Sequence, residues 1–250
     1  MGEYGSAWVR GVQQLNNPAG NGYVKVAASP KHFTGYSIET GDPGVWNDGT
    51  NTMHYGRSNF SGDVSRFDFE DTYLPPWRAA ITTGGALGIM CSYDAPAGIP
   101  SCANKGLMVD VLQTEYGLAG PIVTDCGAIP GFICSHNYSA TPVDAVAAAL
   151  NAGVSIDCGP FGGDCDNGHG LQHSGNASYG WPSTMNAALK VGLFTSNDVD
   201  DRFKSVRNLF LIFFSIETQT PLSLSLSCLT LWLTLCLTLA AFYILLSVLC

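Results

Sequence analysis

The chain has 250 residues, of which 46% are hydrophobic and 12% are charged, and its net charge is −9. This composition excludes a largely disordered chain, because ample apolar surface is available to form a core. It also excludes nucleic acid as an expected partner, since the 11 Lys and Arg residues form no basic run. A neutral ligand such as a sugar fits better.

Short apolar runs predict the strands of a buried sheet. Parallel strands that are covered on both faces read as continuous apolar runs rather than as alternations of apolar and polar residues. The predicted strands, in chain order, are Tyr23–Ala28, Leu87–Tyr93, Pro121–Asp125 and Val154–Asp157.

Helical patterns alternate with these strands. Apolar residues recur at helical spacing over Asn104–Tyr116. Thr141 and Pro142 predict the start of another helix, with threonine as the N-cap and proline at the first helical position, and Gly153 ends it. Two further helices are predicted over Ser183–Gly192 and Ser196–Phe210.

Polar residues collect where the predicted strands end. The alternation of strands and helices predicts a parallel sheet, and its strand ends carry Lys31, His32, Tyr93, Asp125 and Asp157. A (β/α)8 barrel gathers its site in this way, and so does a doubly wound sheet. The predicted strands are fewer than a closed barrel contains, so an incomplete barrel is expected. No dinucleotide-binding glycine motif follows the first strand, and no cofactor is expected.

Asp125 is the sharpest candidate for chemistry. Rigid backbone would hold its carboxylate at the sheet edge, where a retaining glycosidase needs a nucleophile. The structural alternative is a cap on the next helix. Lys31 and His32 offer hydrogen bonds to ligand hydroxyls. The structural alternative is that Lys31 is an ordinary surface lysine and His32 a structural histidine. Tyr93 is either a group of the site or a half-buried core residue, and a structural role is favoured for Asp157.

Acidic residues in a second segment favour a structural interpretation. This segment contains Asp68, Glu70 and Asp71, two of which could be taken for a catalytic acid/base pair. Carboxylates at this position are, however, typical of the start of a helix.

The nine cysteines indicate disulfides rather than a metal site. Cys91 and Cys102 flank a turn and are a candidate pair. No metal is expected, because the loosely zinc-like set has a wider cysteine spacing than a zinc knuckle. That set is Cys158, Cys165, His169 and His173.

Three glycosylation triplets favour the secretory pathway, at Asn59, Asn137 and Asn176. The residues after Met1 do not form a signal peptide, so the natural start of a secreted protein is expected to lie upstream.

The last 30 or so residues differ from the rest of the chain. Residues 219–250 contain no charged side chain and are rich in Leu, Ser and Thr. The boundary predicted from composition separates a domain of residues 1–213 from an apolar tail of residues 214–250. Residues 222–250 are long enough to cross a bilayer, with the span expected at about 225–249. A membrane anchor and non-native read-through sequence remain equal alternatives for this tail.

Several ordered stretches together resemble glycoside hydrolase family 3, in its β-xylosidase and α-L-arabinofuranosidase branch. The match is specific because the stretches keep their order over about 200 residues. They are Tyr23–Phe33, Phe67–Trp77, Ile89–Tyr93, Gly98–Ala103, Gly120–Cys126, Asp144–Gly153 and Asp157–Gly159.

The resemblance implies a retaining exo-β-xylosidase in a TIM-type (β/α)8 barrel that acts on xylo-oligosaccharides, xylan or arabinoxylan. Its nucleophile falls on Asp125, its sugar-holding pair on Lys31 and His32, and its nearby tyrosine on Tyr93. Cys126 resembles the xylosidase branch, because the glucosidases of the family commonly have tryptophan there.

The sequence departs from the family in ways that predict impaired turnover. The chain begins inside what resembles an early barrel helix, so the first strands, with a sugar-binding Asp and Arg, have no expected counterpart. The family's general acid/base is a Glu on a second domain, and none is expected in this chain. Asp94 stands where the family often has Asn, and Gly127 where xylosidases often have Asp. A sugar-binding pseudoenzyme or a membrane-displayed inactive fragment is therefore the alternative.

Overall fold

The computed structural model describes residues 1–13, 24–39, 56–57, 60–159 and 181–214. These residues lie in one compact unit, Met1–Phe214. The predicted tail of residues 222–250 lies outside them. No helix in this described part of the chain is long and apolar enough to cross a membrane.

A small parallel sheet forms the centre of the unit. Strands β1 (Ile89–Cys91) and β2 (Ile122–Thr124) pair in parallel with Ile89 opposite Ile122. Single parallel bridges extend the sheet on both sides, from Phe33 to Cys91 and from Val123 to Ile156. The strand runs are shorter than predicted, but their order along the sheet follows their order in the chain.

The first predicted strand, Tyr23–Ala28, was placed too early. Residues 24–32 have no strand assignment, and the first parallel bridge forms only at Phe33. The ladder is irregular here: Ala28 O accepts from Leu87 N and Pro30 O accepts from Met90 N. Proline has no N–H to donate to a neighbouring strand, so regular pairing cannot run through Pro30.

Helices precede and follow each strand. Helix α1 is Gly2–Gln13, and α2 is a helical run of consecutive segments, two of them with π-type hydrogen bonding. These segments are Arg66–Asp68, Phe69–Tyr73, Leu74–Arg78 and Ala79–Thr83. The later helices are α3 (Gly106–Glu115), α4 (Ala128–Cys134), α5 (Pro142–Asn151), α6 (Trp181–Lys190) and α7 (Ser196–Phe214).

Local capping signals explain where two helices begin. Ser65 Oγ accepts from Asp68 N at 3.1 Å at the start of α2, so the interpretation of this acidic segment as a helix start is confirmed. Thr141 Oγ1 accepts from Asp144 N at 3.2 Å at the start of α5, as predicted. Each cap satisfies a backbone N–H that has no partner within its helix.

The core lies between the sheet and the helices that cover it. Ile89 and Ile122 are fully buried at the centre of the sheet. Helices α3 and α5 contribute apolar side chains to the same cluster, which includes Phe33, Cys91, Met108, Leu112, Val146 and Val154. A smaller cluster joins α5 to α6 through Ala147, Leu150, Ala188 and Phe194. This packing fixes the strand ends, on which the polar residues stand.

Candidate active site

A carboxylate and an imidazole face each other across the end of β1, which lies between the Phe33 segment and β2. His32 Nε2 lies 3.3 Å from Asp125 Oδ2. Asp125 is only 8% exposed, and its backbone N–H donates to Cys91 O at 3.1 Å. The structure thus brings together two of the residues that the sequence singled out.

The environment of His32 favours its neutral form. Burial lowers the pKa of the His32 imidazole, while the negative charge of Asp125 acts in the opposite direction. The neighbouring Lys31 is exposed, and its positive charge lowers the pKa of His32 further. A neutral imidazole can donate one hydrogen bond and accept another, which suits contact with sugar hydroxyls.

Tyr93 lies beside the same carboxylate. Its phenol donates to Cys126 O at 2.8 Å. Burial raises the pKa of Tyr93, and the charge of Asp125 raises it further. The Tyr93 carbonyl lies 2.7 Å from His136 Nε2, and burial lowers the pKa of His136. A neutral His136 therefore donates a hydrogen bond from Nε2 to the backbone carbonyl of Tyr93 and helps to hold Tyr93 in place.

Three residues that the sequence analysis did not single out complete the surroundings. Tyr36, Glu39 and Arg57 are called the Arg57 cluster below. The Tyr36 ring stacks on the ring of His32, with centroids 4.8 Å apart, and the Arg57 guanidinium lies 5.1 Å from the centroid of Tyr93. Arg57 also forms an ion pair with Glu39.

The Arg57 cluster is joined by hydrogen bonds as well. Tyr36 Oη donates to Glu39 Oε2 at 2.7 Å and accepts from Arg57 at 3.4 Å. Burial, followed by the bond to Glu39, raises the pKa of Tyr36 to about 12. The available sequence signal was proximity, because Tyr36 and Glu39 come a few residues after His32. The position of Arg57 had no such signal.

Two disulfides fasten the strand ends. Cys91 and Cys102, the pair suggested by the sequence, are bonded to each other. Cys126 is bonded to Cys158, a pairing that the sequence analysis did not identify. The described cysteines, histidines and acids include no group of three or more that could hold a metal ion. Of the zinc-like set, Cys165, His169 and His173 lie outside the described residues.

Asp157 occupies a structural position next to the second disulfide. Thr124 Oγ1 donates to Asp157 Oδ1 at 2.9 Å and accepts from Cys158 N at 2.9 Å. Burial raises the pKa of Asp157 to about 6. These bonds join the end of β2 to the segment that follows Ile156.

A second buried carboxyl, Asp94, has no partner of this kind. The residue is fully buried, and neither side-chain oxygen has a hydrogen-bond partner among the described residues. Burial raises the pKa of Asp94 to about 7. Gly127, the other departure from the family pattern, has a φ of 75° at the start of α4, in a left-handed conformation that favours glycine.

Only one of the three glycosylation candidates can be placed. Asn137 is exposed, as an acceptor must be, whereas Asn59 and Asn176 lie outside the described residues.

Comparison with known proteins identifies the family. The parallel strands, the helices between them and the carboxylate at the strand ends define an α/β chain, as expected for part of a (β/α)8 barrel. The sequence pattern of the glycosyl hydrolase family 3 N-terminal domain matches residues 1–160. This chain belongs to glycosyl hydrolase family 3.

The relatives that resemble it are much longer proteins. Beta-D-xylosidase 1 of Arabidopsis thaliana is 32% identical over 198 residues, which are 78% of this chain and 24% of that protein. Probable exo-1,4-beta-xylosidase xlnD of Neosartorya fischeri is 37% identical over 192 residues, which are 76% of this chain and 21% of that protein. The chain thus spans less than a quarter of the length of either relative.

Solved structures agree on the fold. A GH3 exo-beta-xylosidase (XlnD) in complex with a xylobiose aziridine activity-based probe superposes with a TM-score of 0.65 and 25% identity, covering 86% of this chain and 24% of that one. A beta-glucosidase from Listeria innocua in complex with glucose gives a TM-score of 0.63 at 22% identity, covering 87% of this chain and 25% of that one. The latter likeness concerns the fold alone.

Proposed function

We propose that this chain carries the nucleophile side of a retaining exo-β-xylosidase, with Asp125 as the nucleophile. The observation that carries the proposal is the placement of a nearly buried Asp125 carboxylate 3.3 Å from His32 at the strand ends. The similarity to β-xylosidases supports xylo-oligosaccharides from xylan or arabinoxylan as the substrate class.

The geometry suits attack by Asp125 Oδ2 on an anomeric carbon. Asp125 Oδ1 accepts a 2.8 Å hydrogen bond from Cys126 N, so one oxygen is held while the other faces His32. Lys31 and His32 provide donors for ring hydroxyls, and Tyr93 forms a wall beside the carboxylate. Attack forms a covalent glycosyl-enzyme intermediate, which water then hydrolyses.

The leaving oxygen needs a proton from a second carboxyl group in this mechanism. The family resemblance assigns that role to a Glu on a second domain rather than to any residue named above. Turnover of natural xylosides is therefore proposed to depend on that second carboxyl group. A very good aryl leaving group departs without acid assistance. An aryl xyloside that carries one therefore allows the formation of the glycosyl-enzyme intermediate to be measured separately.

The experiment is a burst assay with such an aryl β-xyloside. The unmodified chain is expected to release about one equivalent of the aryl alcohol rapidly, and Asp125→Asn is expected to release none. Asp110→Asn is the matched control, because Asp110 is an exposed carboxylate on α3. An equal burst from Asp125→Asn would refute the assignment of the nucleophile.

A sugar-binding role without catalysis is the second candidate. The stacked rings of His32 and Tyr36 favour it, because they offer an apolar face beside polar donors. Xylose binding without any burst, weakened in Lys31→Ala, is the result that would support this role. Calorimetric titration with xylose makes the distinction.

We further propose a domain boundary near residue 213 and a secretory location, extracellular or attached to a membrane through residues 222–250. The compact unit Met1–Phe214 supports the boundary, and exposed Asn137 supports passage through the secretory pathway. Limited proteolysis tests the boundary. Glycosidase digestion and alkaline extraction of membranes from expressing cells test glycosylation and attachment. A product that is neither glycosylated nor retained in membranes would contradict the proposed location.

A further inference from the structure

The residue after Asp125 is restrained on three sides. The backbone N–H of Cys126 donates to Asp125 Oδ1 at 2.8 Å, and its carbonyl accepts from the Tyr93 phenol at 2.8 Å. Its Sγ is bonded to Cys158. The position of the Asp125 carboxylate therefore depends on where Cys126 is held.

Cys158 is itself tied to the neighbouring strand end. Its N–H donates to Thr124 Oγ1 at 2.9 Å, and its carbonyl accepts from Gly127 N at 3.0 Å. The disulfide thus fastens the loop that follows β2 to a segment already anchored by hydrogen bonds. The disulfide is the covalent link between this loop and that segment.

The two described disulfides differ in their access to solvent. Cys91 and Cys102 are both fully buried. Cys126 is exposed, and Cys158 is partly exposed. Thiol–disulfide exchange needs access of the attacking thiolate to a sulfur atom, so a reductant in solution reaches the bond between Cys126 and Cys158 before the buried bond between Cys91 and Cys102.

We infer that Cys126 and Cys158 are positioning residues for Asp125, and that reduction of their disulfide by a dithiol releases the carboxylate from its working position. The inference rests on the role proposed above for Asp125. In the reduction, a reagent dithiol supplies two electrons and two protons. The Sγ–Sγ bond breaks, two cysteine thiols form, and the reagent closes to a cyclic disulfide.

The expected consequence is a loss of alignment rather than a loss of fold. The bonds of Thr124 to Asp157 and Cys158 remain, and so does the buried disulfide between Cys91 and Cys102. Small displacements of a reacting group reduce rates strongly, and a fall of about tenfold or more in the burst rate is expected. Reoxidation restores the rate.

The test treats the full chain with increasing dithiothreitol, followed by alkylation, peptide mass mapping and the burst assay. The same samples are titrated by NMR of the His32 imidazole. The nearby charge of Asp125 raises the pKa of His32, so movement of the carboxylate away from it lowers that pKa. The expected result is modification of Cys126 and Cys158 before Cys91 and Cys102, with parallel falls in burst rate and in the His32 pKa.

The control is the double variant Cys126→Ser/Cys158→Ser. It should resemble the reduced chain without treatment, and dithiothreitol should change neither of its readouts. A burst rate and His32 pKa that stay unchanged after selective reduction would overturn the inference. If the untreated chain shows no burst, the proposed function fails, and the His32 titration alone then decides whether the disulfide positions Asp125.

Discussion

The phenol of Tyr36 donates a 2.7 Å hydrogen bond to Glu39 Oε2. Tyr36 also stacks on the ring of His32, so it links His32 to Glu39. Arg57 pairs with the same carboxylate and lies over Tyr93. Glu39 is bonded to neither Asp125 nor His32. It nevertheless holds the two side chains that lie against His32 and Tyr93.

Replacement of Glu39 by glutamine should lower the pKa of Tyr36. Burial and the bond to Glu39 raise that pKa to about 12, and a neutral amide removes the part caused by the carboxylate. The measurement is phenolate absorbance against pH. Because the chain has ten tyrosines, Tyr36→Phe provides the difference spectrum that isolates Tyr36. An unchanged transition in Glu39→Gln would mean that burial alone sets the pKa.

Stability should fall with rising pH because of Asp94. Its folded-state pKa is raised to about 7, against about 4 in an unfolded chain. Between these values the folded chain binds a proton that the unfolded chain does not. The free energy of unfolding therefore decreases as pH rises through this range, by up to about 1.4 kcal/mol per pH unit.

Asp94→Asn should remove this dependence and make the chain more stable at pH values above 7. Urea unfolding of both chains at mildly acidic and mildly alkaline pH provides the comparison. Asp110→Asn, at an exposed position, should keep the original pH dependence. Because burial also raises the pKa of Asp157, to about 6, the decisive range is pH 6 to 7, and an equal fall in stability there in Asp94→Asn would contradict the role of Asp94.

Ile122→Ala should destabilise the sheet by about 2–5 kcal/mol, since it removes a fully buried side chain and leaves a cavity. Val191→Ala is the matched control, because Val191 is 68% exposed and should change the free energy of unfolding very little. Denaturant unfolding at one pH measures both. Similar losses in the two variants would contradict the placement of Ile122 in the core.

Thr141→Ala should cost about 1 kcal/mol, because the cap on Asp144 N is lost. Thr141→Ser keeps the hydroxyl and should retain most of the stability. The same unfolding experiment distinguishes the two. If serine and alanine are equally harmful, the methyl group of Thr141 matters rather than its hydroxyl.

Local signals predicted the elements that depend on neighbouring residues. Thr141 and Pro142 marked the start of α5, and the acids after Ser65 marked the start of α2, because capping involves residues only a few positions apart. The first strand was misplaced for a related reason. The apolar run ends before Pro30, which has no N–H to donate, and the first parallel bridge forms only at Phe33.

The site was predictable only in part. His32, Tyr93 and Asp125 were found because each stands near the end of an apolar run, and a parallel sheet brings such ends together. Arg57 and the pairing of Cys126 with Cys158 depend on contacts between distant residues, for which one sequence carries no spacing rule. The complete burial of the Asp94 carboxyl, without a hydrogen-bond partner among the described residues, depends on tertiary packing, which the sequence does not show.

The parallel arrangement of the strands has a consequence for folding kinetics. At least one helix lies between consecutive strands in the chain, so the contacts between strands join residues far apart in the sequence. Ser92 and Thr34 are 58 residues apart, and Cys126 and Cys158 are 32 apart. Closing such loops costs entropy before the contacts are gained, and chains of high contact order fold slowly. The contacts around Asp125 should therefore form late, after the individual helices.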